Sequence, residues 1–182
     1  MKNALMTGTD TARDGGRFVG IASQTNCMDR GGDLILRGAF QDSLKGFLER
    51  GFIAFSHLWD ALPIGYPIAA HDGVHGLKVV AGFHQDGFSQ SVRGMMQERL
   101  ERELVCGLSV GFLVGANGSN TFPNGKEMAR YLARDFSDAR IDLEAIGRYP
   151  SPCRVISHVA ELFEVSIAMV PMNVNSLITF IE

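Results

Sequence analysis

Along Arg17 to Ser23, Phe18, Gly20 and Ala22 alternate with Val19 and Ile21, which predicts a strand with two fairly apolar faces. Asp29-Arg30-Gly31-Gly32-Asp33 is a turn signal. Gly38-Ala39-Phe40 then opens a short helix in which Phe40, Leu44, Phe47 and Leu48 keep helical spacing, and Gly51 is placed to stop it. Phe52 to Ser56 reads as a short apolar strand ending at His57. Pro63 to Ala70 and Leu77 to Phe83 read as a hairpin, with His71 to Gly76 as the turn between them. The clearest helical period runs from Ser89 to Val105. There Val92, Met96, Leu100 and Leu104 recur every four residues, while Arg93, Glu98, Glu101 and Arg102 take other faces. Gly107 ends that helix, and Leu108 to Val114 continues as a strand.

The rhythm breaks from Ala116 to Pro152. Asn117-Gly118-Ser119-Asn120 and Pro123-Asn124-Gly125 are loop-like, a charged helical piece is expected from Glu127 to about Glu144, and Pro150 and Pro152 close the segment. This stretch reads as an insertion, 116–152, between two core strands. Arg154 to Val170 is mostly β-like and stops at Pro171, and Leu177 to Ile181 is a last edge strand. Residues 1–16 are polar and glycine-rich and read as a flexible arm ahead of one domain, 17–182. Short strands, two main helices and few βαβ units predict an α+β, β-rich fold: a barrel or curled sheet with helices packed outside.

Size and charge narrow the classes. A chain of 182 residues can bury a real core without staples. The net charge of -3 lacks the basic excess of a phosphate-binding surface, so nucleic acid is not an expected partner. No apolar run approaches a membrane span, and Met1 to Thr7 lacks the apolar centre of a signal peptide. Cys27, Cys106 and Cys153 have no CxxC spacing, which favours neither a zinc knuckle nor a disulfide framework and suits a reducing interior.

Three residues carry candidate chemistry. Ser109 lies in Gly107-Leu108-Ser109-Val110-Gly111, on a strand whose glycines would let a substrate backbone come close. An isolated motif of this kind more often just fills a strand, and a helix precedes this one, so it lacks the strand-turn-helix elbow of α/β-hydrolases. A hydroxyl needs a base, and His57 can take and return a proton near neutral pH. Glu164 sits in so apolar a strand that its carboxylate needs a partner, which an imidazolium would be. Glu161 competes with it; strand alternation would send the two to opposite faces, so that only one reaches the site. Zinc held by His57, His71 and His75 is disfavoured, because His71 and His75 bracket a turn and no cysteine or carboxylate completes a ligand spacing. Cys106 reads as a small buried hydrophobe, and Met95-Met96 as core.

Together these pieces resemble a known family. Asp29 to Phe40 resembles the N-terminal signature of the HK97-type prohead (capsid maturation) serine proteases of tailed phages. His57 with Leu62-Pro63-Ile64-Gly65 looks like their histidine motif, Gly107 to Phe112 like their serine motif, and Glu164 to Asn173 like their closing segment. The resemblance runs over about residues 17 to 178 apart from 116–152, a segment longer than the link expected there. It implies a herpesvirus-protease-like β-barrel wrapped by helices, and a serine endopeptidase with Ser109 as nucleophile, His57 as base and Glu164 as orienting acid. It also implies no cofactor or metal, and protein substrates in the immature capsid (prohead) within the host cytoplasm: scaffold, the scaffolding segment of the major capsid protein, and often the protease itself. A homodimer follows only by analogy. The competing readings are a non-catalytic capsid-assembly module that keeps the fold, and a hydrolase of small esters.

Overall fold

The computed structural model describes residues 15–136 and 140–182; apart from Gly15 and Gly16, the expected arm lies outside the described residues. Strand β1 (Arg17–Ser23) forms where the alternation places it, and the 29–33 turn leads into a three-residue strand β2 (Asp33–Ile35). A 3-10 turn at Gln41–Ser43 precedes helix α1 (Leu44–Arg50), which Gly51 ends. Phe40 and Phe47 are fully buried while Leu48 stays exposed, so the apolar stripe is narrower than the sequence suggests. Strand β3 (Phe52–Phe55) stops two residues before His57.

The hairpin is tighter than expected. Strands β4 (Gly65–Gly73) and β5 (Gly76–Phe83) pair through His71 and Asp72, which leaves only Val74 and His75 as the loop. Gly76 has φ +108 and meets the backbone of Ser23 and Gln24, so a side chain there is excluded twice over. Helix α2 (Gly87–Glu101) is displaced from the expected Ser89 to Val105. Asp86 caps its start, accepting from the N–H groups of Phe88 and Ser89 at 3.0 Å each. At the other end Glu103 is left-handed (φ 57) and the Arg99 guanidinium donates to Val105 O, which peels 102–105 away and leaves Leu104 exposed.

Strands β6 (Gly107–Val114), β7 (Ser119–Phe122), β8 (Cys153–Ile156), β9 (Val159–Ala168) and β10 (Ile178–Ile181) complete two sheets. The larger has seven strands in the order β10-β1-β5-β4-β3-β9-β6. Its two ends meet: Leu108 N–H donates to Ser176 O and Ile178 N–H to Cys106 O, both at 2.8 Å, so the sheet curls into a barrel. Beyond that contact β6 has only β9 as a strand neighbour among the described residues, and its other edge is open. Phe18, Ile53, Leu77, Phe83, Leu108 and Ile167 fill the inside. Each fully buried large side chain contributes about 1.5–3 kcal/mol.

The smaller sheet, β2-β8-β7, has its own core. In place of one helix from Glu127 to Glu144 there are two, α3 (Gly125–Asp135) and α4 (Leu143–Gly147). The Asn124 side chain caps the first and that of Asp142 the second. Met128 and Leu132, one turn apart on α3, and Ile146 on α4 bury against Leu34 and Val155. One long helix could not aim both groups at the same small sheet. The segment 116–152 is thus folded onto strands from outside it.

Candidate active site

The site lies on the outer face of the barrel, where β3, β9 and β6 run side by side. Glu164 faces Gly111 of β6 and Phe52 of β3, and Ser166 faces Ser109 and Ala54. Residues opposed across a ladder share a face, so Ser109, Gly111, Glu164 and Ser166 stand together on one side. Leu108, Val165 and Ile167, one position away, turn into the barrel core.

His57 reaches this face through a strained turn. Ser56 and His57 are both left-handed, at φ 52 and 56. Two such non-glycine residues in succession cost on the order of 1–3 kcal/mol each and need to be held. Ser56 N–H donates to Ile167 O at 2.9 Å, and His57 N–H to the Ser166 hydroxyl at 2.9 Å. The chain therefore doubles back over the sheet, Trp59 meets Phe163 edge-on at 5.5 Å, and the imidazole comes down on Glu164.

The Glu164 side chain is fully buried, and both its oxygens are occupied. Oε1 pairs with His57 Nδ1, and Oε2 accepts from the Ser166 hydroxyl at 2.9 Å. The hydrogen bond to Glu164 raises the His57 pKa above its ordinary value, against burial, which lowers it. A carboxylate at Nδ1 fixes the proton there and leaves Nε2 as the acceptor.

Ser109 is buried, and its hydroxyl makes no hydrogen bond among the described residues, to His57 or to any other group. It lines a cavity of about 160 Å³ that runs along the open edge of β6. Thus His57 and Glu164 are joined directly, and Ser109 shares their face without being bonded to them.

Two sequence arguments change. The glycines beside Ser109 make room for the protein itself: a Cβ on Gly111 would lie 2.5 Å from Glu164 Cγ, and one on Gly107 would lie 2.4 Å from Ala168 O. The face argument about Glu161 fails as well. A bulge in β9 skips Phe163, so Glu161, opposite Leu113, returns to the same face as Glu164. Burial separates them: Glu161 is exposed and Glu164 is sealed under the imidazole.

Ser166 was given no role by sequence reasoning, although Glu-x-Ser on a strand puts both side chains on one face. His71 lies in β4 and His75 in the hairpin loop, and no group of three possible metal ligands forms among the described residues. Burial raises the Cys106 thiol pKa, and its Sγ contacts Met96 O at 3.5 Å, the surroundings of an inert cysteine.

Among curated proteins, the chain is 32% identical over 111 residues to the prohead protease of Enterobacteria phage HK97. It is a relative of that protease. The match takes in 61% of this chain and 48% of the HK97 protein, so it spans about half the length of that relative. No family model matches the chain. Among solved structures it resembles KSHV protease, crystallised with a hexapeptide phosphonate inhibitor, at a TM-score of 0.45 and 13% identity, over 90% of this chain and 64% of that one.

Proposed function

We propose that this relative of the HK97 prohead protease is itself a serine endopeptidase acting in prohead maturation. One observation carries the reading: a fully buried carboxylate, Glu164, is bonded to the Nδ1 of His57 on the sheet face that bears Ser109. Nothing in the packing requires a charge there, and burying one unpaired is costly. Orienting an imidazole accounts for it.

In this reading Nε2 takes the Ser109 proton as the oxygen attacks a peptide carbonyl, and Glu164 stabilises the imidazolium that forms. The proton then passes to the leaving amine, and water activated by the same ring releases the acyl group. The hydroxyl must turn toward Nε2, a contact that commonly tightens only when substrate binds. The open edge of β6 beside Ser109 suits an extended polypeptide, which can add to it as a strand. The substrates in this reading are scaffold or the scaffolding segment of the major capsid protein, and the chain itself, inside the immature capsid.

The test is covalent labelling with a fluorophosphonate, followed by peptide mapping. Ser109 is expected to carry the label, and Ser109→Ala to fold, lose the label and lose processing of capsid protein in a co-expression assay. An unlabelled wild-type protein, or a Ser109→Ala protein that still processes, would overturn the assignment and favour a non-catalytic assembly module.

A further inference from the structure

The loop that carries His57 goes on to expose apolar side chains that the proposed catalysis does not use. Leu58 is 53% exposed and Trp59 59% exposed, and Leu62 is more exposed still. Scattered exposed apolar residues are ordinary, but these follow directly on a reacting group. Tight turns fix their directions. Leu58 N–H donates to Phe55 O at 3.1 Å, Trp59 N–H to His57 O at 3.0 Å, and Ala61 N–H to Leu58 O at 3.2 Å. His57, Leu58, Trp59, Asp60 and Ala61 line an open hollow of about 410 Å³, with the carboxylate of Asp60 exposed at its side.

The same apolar surface continues onto the sheet beside Ser109. Trp59 meets Phe163 edge-on at 5.5 Å. The Phe163 ring in turn lies over Gly111, where a Cβ would come within 2.8 Å of Cε2. Gly111 follows Ser109 by two residues on the same face, about 7 Å along the strand. An aromatic ridge therefore starts one strand repeat from Ser109, half-buried at Phe163, and ends exposed at Trp59 in the loop that holds the imidazole.

Proton transfer decides which part of a substrate meets this ridge. In the proposed reaction the imidazole hands its proton to the leaving amine, so that nitrogen and the residue attached to it lie on the His57 side of the scissile bond. The acyl side lies along the open edge of β6. An apolar side chain that covers the ridge leaves water on both sides of the contact, and a ring gains edge or offset packing as well.

We propose that Leu58, Trp59 and Phe163 form a leaving-side subsite, which takes a bulky apolar side chain, aromatic above all, from the residue that departs with the new amino terminus. The subsite rests on the endopeptidase reading, since proton transfer from His57 is what assigns it to that side of the bond.

The test is acyl transfer, because an amine that attacks the acyl-enzyme enters where the leaving amine goes out. Ser109 is acetylated with p-nitrophenyl acetate, and phenylalaninamide and alaninamide compete for the acetyl group. The new C–N bond replaces the Ser109 ester C–O bond, and the amine proton returns to the serine oxygen through His57. Products are counted by mass spectrometry, after subtraction of the reaction seen with Ser109→Ala. Phenylalaninamide is expected to be acetylated at least about tenfold faster in the wild type. That ratio should fall several-fold in Leu58→Ala and in Trp59→Ala, and be largely kept in Trp59→Phe. Damage to the catalytic centre slows both amines alike and does not move the ratio. A wild-type ratio near one, or a ratio unmoved by both alanine variants, overturns the subsite and leaves the nucleophile standing. If Trp59→Ala does not fold, Leu58→Ala decides. If neither the acetate nor a fluorophosphonate ever modifies Ser109, the endopeptidase reading fails and the subsite with it. Self-association in light scattering that Trp59→Ala abolishes, with the ratio unmoved, assigns the surface to a second copy of this chain and equally overturns the subsite.

Discussion

Replacing Glu164 by Gln removes one charge from the centre of the site and little else. The side chain keeps its shape and an oxygen to accept from His57 Nδ1–H, but the charge opposite the imidazolium is gone. Losing a charge-assisted hydrogen bond costs about 1.5–3 kcal/mol, or roughly 10- to 150-fold in rate at 1.36 kcal/mol per tenfold. An amide can also present N–H to the ring and hold it in the wrong tautomer, and that kind of change costs up to about 10⁴ in a serine protease triad. The expected loss for Glu164→Gln is thus about 10- to 10⁴-fold. The assay is the rate of fluorophosphonate labelling against pH, which needs no known substrate. His57 must be neutral to act as a base, and its pKa is raised by Glu164, so the acid limb of the wild-type profile should lie above the ordinary histidine value of 6.5. In the variant only burial remains, and the limb should move to lower pH. The stability sign follows from the same shift. A raised folded pKa contributes stability that is fully present below the unfolded value and is lost as pH rises through the folded one. Thermal unfolding should therefore show the wild type losing more stability than Glu164→Gln across that window. Glu161→Gln, on an exposed position, should change the rate less than twofold. A Glu164→Gln protein with more than a third of the wild-type rate, or with an unmoved acid limb, would refute the orienting role.

Ser166→Ala removes the acceptor of His57 N–H and the donor to Glu164 Oε2. It should slow labelling by about 10- to 100-fold from two lost hydrogen bonds. Ser166→Thr, which keeps the hydroxyl, should recover much of that loss; equal defects in both would mean that Ser166 only fills space. Gly111→Ala would drive a methyl group into Glu164 and Phe163 and should cost about 1–3 kcal/mol in chemical denaturation together with most of the labelling. Wild-type behaviour of that variant would show that Glu164 has room to move and is not rigidly held.

Elements whose signal is local were legible in the chain. The alternation in Arg17 to Ser23 fixes β1 to the residue, because the period of a strand is written in its own side chains. The four-residue stripe through Val92 and Met96 locates α2 for the same reason, but its end was misplaced: Glu103 and the Arg99 contact to Val105 act through backbone geometry, which a periodicity does not contain. The split of the expected 127–144 helix into α3 and α4 has a similar origin. Its capping side chains, Asn124 and Asp142, were visible, but the small sheet that both helices must cover was not.

The candidate residues separate along the same line. The sequence by itself determined a β-rich fold, one strand bearing Ser109, another bearing Glu161 and Glu164, and an order of motifs that resembles one phage protease family. Only the tertiary structure decided which glutamate is sealed against His57, that a bulge at Phe163 returns both glutamates to one face, and that Ser166 ties the imidazole loop to the acid. Only it could show that Gly107 and Gly111 yield space to Ala168 and Glu164. The physical reason is register: a side chain's neighbours across a ladder are set by hydrogen bonds between strands far apart in the chain, and one skipped residue reverses the face.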